Sequence, residues 1–92
     1  MRVISASASQ LGSTQLAVLY QVINGPFINT QGVGPVQTAA LKLSDYGILD
    51  RDPQNSHRFT LSISGAHWSL TNVQVLSRRF DVILTEGKTD GS

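Results

Sequence analysis

Reactive chemistry in this sequence would have to be built from two histidines, His57 and His67, six Asp and Glu residues and no cysteine. Zinc and similar metals are held by imidazoles, thiolates and carboxylates at characteristic spacings. Asp45, Asp50 and Asp52 imitate a cation site, but no such spacing joins them to the histidines. They read instead as the solvated flank of a hairpin. Covalent and phosphate chemistry fare no better, since no G-x-S-x-G elbow, P-loop or H-E-x-x-H pair occurs. "GVGP", Gly32 to Pro35, contains a G-x-G, but a dinucleotide site needs a preceding strand and a third glycine. It reads as a loop. We therefore expect a protein that is not an enzyme, with no metal and no cofactor. His57 reads as a turn residue, and His67 as a partly buried neighbour of Trp68.

Binding is the remaining kind of chemistry. Seven Lys and Arg against six Asp and Glu leave a net charge of +1, too near balance to announce a nucleic-acid partner. "SRRF", Ser77 to Phe80, holds the one adjacent basic pair. Arg78 and Arg79 are candidate contacts to phosphate or to an acidic partner surface. Their plainer reading is a solvated helix end, with the two cations near the negative end of the helix dipole. Trp68 divides similarly between an exposed partner anchor and a core residue over the hairpin and first helix, with the core favoured.

The elements that must position these residues belong to one small domain. Ninety-two residues with 40% hydrophobic and 14% charged composition suffice for a modest core. The absence of cysteine excludes a disulfide framework. No apolar run approaches the roughly 18–20 residues that span a bilayer, and "MRVISASASQ" lacks the apolar segment of a secretory signal. A soluble, cytoplasmic protein is the expectation.

Residues 1–12 read as an N-terminal arm or short strand. From Ser13, with Ser13 or Thr14 as cap, a helix is expected with Leu16, Leu19, Tyr20 and Ile23 on one face. Asn24-Gly25-Pro26 ends it, the glycine by a left-handed turn. Pro35 opens a second helix, through Tyr46, with Val36, Ala40 and Leu43 as its buried stripe and Gly47 as its stop. Ile48 and Leu49 begin an extended segment, "RDPQNSH" signals a turn, and "RFTLSIS" alternates with Phe59, Leu61 and Ile63 inward. Together these make a β-hairpin. Leu70, Val73, Leu76 and Phe80 then mark a helix from about Thr71 to Arg79, with a short strand over Phe80 to Leu84. The expected domain covers residues 13–85, followed by a polar tail at 86–92.

"LSDYGILDRD", Leu43 to Asp52, resembles the L-x-x-x-G-[IL]-[IL]-x-R-[DE] signature of MarR-like and related winged-helix regulators. "LSISG", Leu61 to Gly65, is similar to the L-[TS]-x-x-G that follows the wing there. The resemblance covers about residues 13–65. It departs upstream, where "GPFINTQGVG" leaves little room for the helix that usually precedes the recognition helix. It implies an α+β, winged-helix-like fold, with helices packed on a small antiparallel hairpin. It also implies a DNA-binding transcription regulator acting as a dimer. The helix from Pro35 to Tyr46 would enter the major groove with Gln37, Thr38 and Lys42 exposed. Arg51, Asn55, His57 and Arg58 would set the wing along the phosphates, with Asn29, Thr30 and Gln31 adding contacts. The near-neutral charge supports an alternative use of the same fold, a protein-binding adaptor or inhibitor of the phage or mobile-element type. No membrane partner is expected.

Overall fold

In the computed structural model, helix α1, Ser13–Asn24, has Gly12 as its N-cap, one residue before Ser13 and two before Thr14, the caps expected. Gly12 offers no side chain, and its N–H instead donates to Gln15 Oε1 at 3.1 Å. The helix stops where expected, although Gly25 leaves in an extended conformation (φ −132°) and not a left-handed one. The structure describes residues 4–30 and 34–89, the last four by their backbone only.

Helix α2, Gly34–Tyr46, carries Ala39, Ala40 and Leu43 into the core. It ends in a left-handed residue, Gly47, at φ 92°. Gly47 N–H bonds to Ser44 O at 2.9 Å and Ile48 N–H to Leu43 O at 3.0 Å, so the last turn's carbonyls are satisfied in a Schellman arrangement. A Cβ at this φ would be strained, which is why glycine suits the position.

From there the chain enters a three-stranded antiparallel sheet: β1, Ile28–Asn29; β2, Leu49–Arg51; β3, Arg58–Leu61. The last strand in sequence lies in the middle, in the order β1-β3-β2. The hairpin is antiparallel, as expected, with Leu49 facing Leu61 and Arg51 facing Phe59, while Ile28 faces Phe59 from the other side. The protein is therefore α+β. Leu16 and Leu19 of α1, Leu43 of α2, Ile48, Leu49 and Phe59 fill the space between helices and sheet.

The alternation that carried the strand reading through Ile63 breaks at Ser62. Its hydroxyl accepts Gly65 N–H at 2.8 Å, donates to Gly47 O at 2.6 Å and lies 3.0 Å from Ile48 O. Ser62 thus caps helix α3, Ile63–Thr71, and ties that helix to the end of α2. Ile63 is 81% exposed at the helix start, not inward on a strand. Replacing Ser62 with Ala removes the cap from Gly65 N–H and the hydroxyl donor from Gly47 O, while Ile48 O keeps the backbone N–H of residue 62. The expected loss is about 2 kcal/mol, or a fall of ~8–16 °C in Tm, read by thermal circular dichroism. Ser56→Ala, on the exposed turn, should change Tm by less than ~2 °C. Equal effects would show that the Ser62 junction is not stabilising.

The C-terminal third differs most from expectation. Asn72 interrupts the chain, its side chain and N–H both directed to Trp68 O, and helix α4 then runs unbroken over Val73–Thr89. No strand forms at Phe80–Leu84; the 3.6-residue spacing of Leu76, Phe80 and Ile83 continues against the core as helix. Phe80 meets Tyr20 edge-to-face, 5.2 Å between ring centres. The polar tail is helical through Thr89.

The N-terminal arm is packed. A 3-10 turn at Ala8–Gln10 puts Ala8 and Leu11 in the core. Trp68 is buried, as favoured, and its indole N–H donates to Ala6 O at 3.1 Å. Among the described residues no helix is long and apolar enough to cross a membrane.

Candidate nucleic-acid interface

On α2 the residues proposed to read DNA separate. Thr38 and Lys42 are exposed, one turn apart, and line an open groove of about 600 Å³ against Ser13 and Thr14 at the start of α1, with Asp45 on the same wall. Thr38 Oγ1 bonds back to Gly34 O at 3.2 Å, and Lys42 Nζ lies 5.5 Å from the centre of the Tyr46 ring. Gln37 is not exposed as expected. At 8% exposure its amide oxygen accepts a hydrogen bond from Thr30 Oγ1 inside the protein. Thr30 is buried too, and its N–H and hydroxyl both address His57 O, at 2.8 and 3.2 Å. Gln37 and Thr30 are thus a brace between α2 and the hairpin, and neither is available to a base edge. The complementary error concerns Val36, read as buried, which is exposed. Asn29 is exposed on β1, and Gln31 lies outside the described residues.

The hairpin tip is held by its own polar groups. Asp52 Oδ1 accepts Gln54 N–H at 2.8 Å, and Asn55 Oδ1 accepts His57 N–H at 3.1 Å. Asx side chains that fold back on the next residues are a standard way to fix a turn. Gln54, Asn55, Ser56 and His57 remain exposed around it. Arg51 Nε donates to Ser56 O at 2.7 Å, using one of its five donors, and its guanidinium lies 5.8 Å from the Phe59 ring centre. Arg58 stacks over Phe27 at 4.0 Å, a cation–π contact that holds the charge on a half-buried stem. Both cations therefore occupy defined positions at the base of the tip, with Asp50 and Asp52 on either side of Arg51 in sequence.

Arg78 and Arg79 are in the body of α4, so the helix-end reading does not apply. Arg79 donates to Leu11 O at 2.6 Å and Ala8 O at 3.2 Å and is committed to the backbone of the N-terminal arm. Arg78 is exposed. His67 is exposed on α3, not partly buried, and no group of three His, Asp or Glu side chains able to hold a metal occurs among the described residues.

The arrangement offers hydrogen-bonding groups on two rigid supports, α2 and the hairpin tip, with modest positive charge. Compared with known proteins, the chain matches no family model, no curated protein and no solved structure.

Proposed function

We propose that this chain is a winged-helix-type module that binds duplex DNA as a non-catalytic regulator. The observation that carries this reading is the passage from α2 through left-handed Gly47 into a tight hairpin, with polar side chains exposed on both. Thr38 and Lys42 address the groove, Lys42 as a donor to guanine or phosphate and Thr38 as a contact to a thymine methyl. Arg51, Asn55, His57 and Arg58 follow the backbone, where contacts fix register.

Fluorescence anisotropy with a mixed-sequence duplex tests it. If Lys42, Arg51 and Arg58 each neutralise one phosphate, log K falls with log salt at a slope of about −2.7. Lys42→Ala is expected to reduce the magnitude of that slope by ~0.9 without loss of fold. Absence of binding by folded protein at low salt would remove the DNA reading. Cytoplasmic location belongs with this proposal.

A second reading, the protein-binding adaptor, is favoured by one observation. Large apolar side chains of α3 and α4, Leu70 and Val73 among them, lie exposed at a hollow whose described lining residues carry no charge. Saturable binding to a protein, with no DNA binding at low salt, would select it.

A further inference from the structure

The β2–β3 hairpin is attached to the rest of the protein at two levels. At its base the chain passes from α2 through Gly47 into Ile48 and Leu49, which are buried in one cluster with Leu43. Nearer the tip the attachment is Thr30, the residue after β1. Its N–H and Oγ1 both address His57 O, at 2.8 and 3.2 Å, and the hydroxyl donates to Gln37 Oε1 in the first turn of α2. Bonds between β1 and β3 hold the sheet together, but they leave its angle to α2 open, since both strands would swing as one. The bond from Thr30 to Gln37 joins the outer part of the sheet to the helix.

We propose that Thr30 and Gln37 are positioning residues for nucleic-acid contact: their bond fixes the angle of the hairpin to α2 and so holds Arg51 and Arg58 in one register with Lys42. This role deepens the DNA reading and rests on it. The cations sit on two supports, Lys42 on α2 and the arginines on the sheet. Phosphates along a duplex are met together only if the two supports keep a fixed relation. From Gly47 to Arg51 the strand spans about 13 Å at ~3.3 Å per residue. A pivot of ~10° at the base then carries Arg51 through about 2 Å, where a preorganised contact tolerates ~0.5 Å.

The polar character of the pair supports the role. Thr30 and Gln37 are 4% and 8% exposed. Burying a hydroxyl and an amide offsets most of what their hydrogen bond contributes, so an apolar pair of the same shape would be about as stable. Stability alone therefore does not call for polar residues at these two positions. Direction does, because apolar side chains slide past one another whereas a hydrogen bond fixes distance and angle. Thr30 adds a second constraint by gripping one carbonyl with two donors, beside Arg58 in the chain. Gln37 then serves the interface without touching DNA.

The double substitution Thr30→Val with Gln37→Met tests this, since replacing both partners leaves neither group buried and unpaired. Fluorescence anisotropy with a mixed-sequence duplex, on protein shown to be folded by circular dichroism, is the readout. The log K against log salt slope is expected to fall from about −2.7 to between about −1.8 and −0.9, as one or two phosphates are lost. Each lost phosphate weakens binding about 15-fold at ~50 mM salt. Thr30→Ser keeps the hydroxyl and loses the methyl group, so it should bind with the original slope although it packs less well. A purely structural role would reverse that order. Without DNA, residual dipolar couplings should show the amides of residues 54–58 reoriented relative to α2 in the double variant and not in Thr30→Ser. The original slope and affinity in the double variant would overturn the proposal, as would unchanged couplings, or a Thr30→Ser protein that binds no better than the double variant. Absence of binding by the unaltered protein would instead remove the DNA reading and the functional half of the proposal with it, while the couplings judge the hairpin angle on their own.

Discussion

Gly65→Ala is expected to destabilise the domain by about 3 kcal/mol or more, near the upper end of overpacking effects, and to lower Tm by ~12–24 °C. The reason is a backbone crossing. A Cβ at residue 65 would overlap the Ile48 carbonyl oxygen and stand 2.8 Å from its carbon and 3.0 Å from its Cα. Neither partner can withdraw cheaply. Ile48 O accepts Ser62 N–H at 3.0 Å, and Ile48 N–H is held by Leu43 O. Gly65 N–H is itself held by the Ser62 hydroxyl. Accommodating one methyl group therefore requires α3 to move from the sheet. Gly12→Ala provides the contrast, because nothing lies within 4 Å of a Cβ there, and its cost should stay below ~1 kcal/mol. A Gly65→Ala protein that melts within ~2 °C of the original would refute the crossing.

The second large effect is expected from Phe59→Ala, a loss of ~3–5 kcal/mol in urea-derived unfolding free energy. Phe59 is fully buried in the central strand, opposite Ile28 on one side and Arg51 on the other. Its removal opens a cavity at the one place where both strand pairs and the helices meet, and takes away the ring beneath the Arg51 guanidinium. A domain of this size has ~5–14 kcal/mol of total stability, so the variant should be close to its folding limit. Phe59→Leu keeps most of the volume and should lose less than ~2 kcal/mol. If Phe59→Ala lost under ~1 kcal/mol, the residue would not be central to packing.

The elements legible from sequence are those decided locally. The extent of α1, the glycine exit at Gly47 and the antiparallel match of residues 49–51 with 59–61 follow from capping chemistry, left-handed geometry and alternation. What was not legible depends on distant parts. "FDVIL" has the composition of a strand, and it is helical because Phe80 and Ile83 pack at helical spacing against the core, Phe80 on Tyr20 of α1. Ile63 extends the alternation of Phe59 and Leu61, but the Ser62 cap turns the chain because Gly47 O is within its reach. The candidate interface divides in the same way. Thr38, Lys42, Asn55 and His57 are exposed, as their polarity suggested. Gln37 is buried because Thr30, seven residues earlier, supplies a partner that no helical periodicity reveals. Ile23, Leu70 and Val73 share the apolar stripes of their helices with buried residues, yet they are exposed.

The tie between Arg79 and the carbonyls of Ala8 and Leu11 has a consequence for the order of events on the ribosome. These groups are 71 and 68 residues apart in the chain. The segment around Ala8 is made before residue 79, so the Arg79 tie follows the Trp68 N–H bond to Ala6 O in the order of synthesis. Until then the carbonyls of Ala8 and Leu11 lack the Arg79 guanidinium as a partner. Helices α1 and α2 and the hairpin can form beforehand from nearer contacts, but the clasp across them closes last.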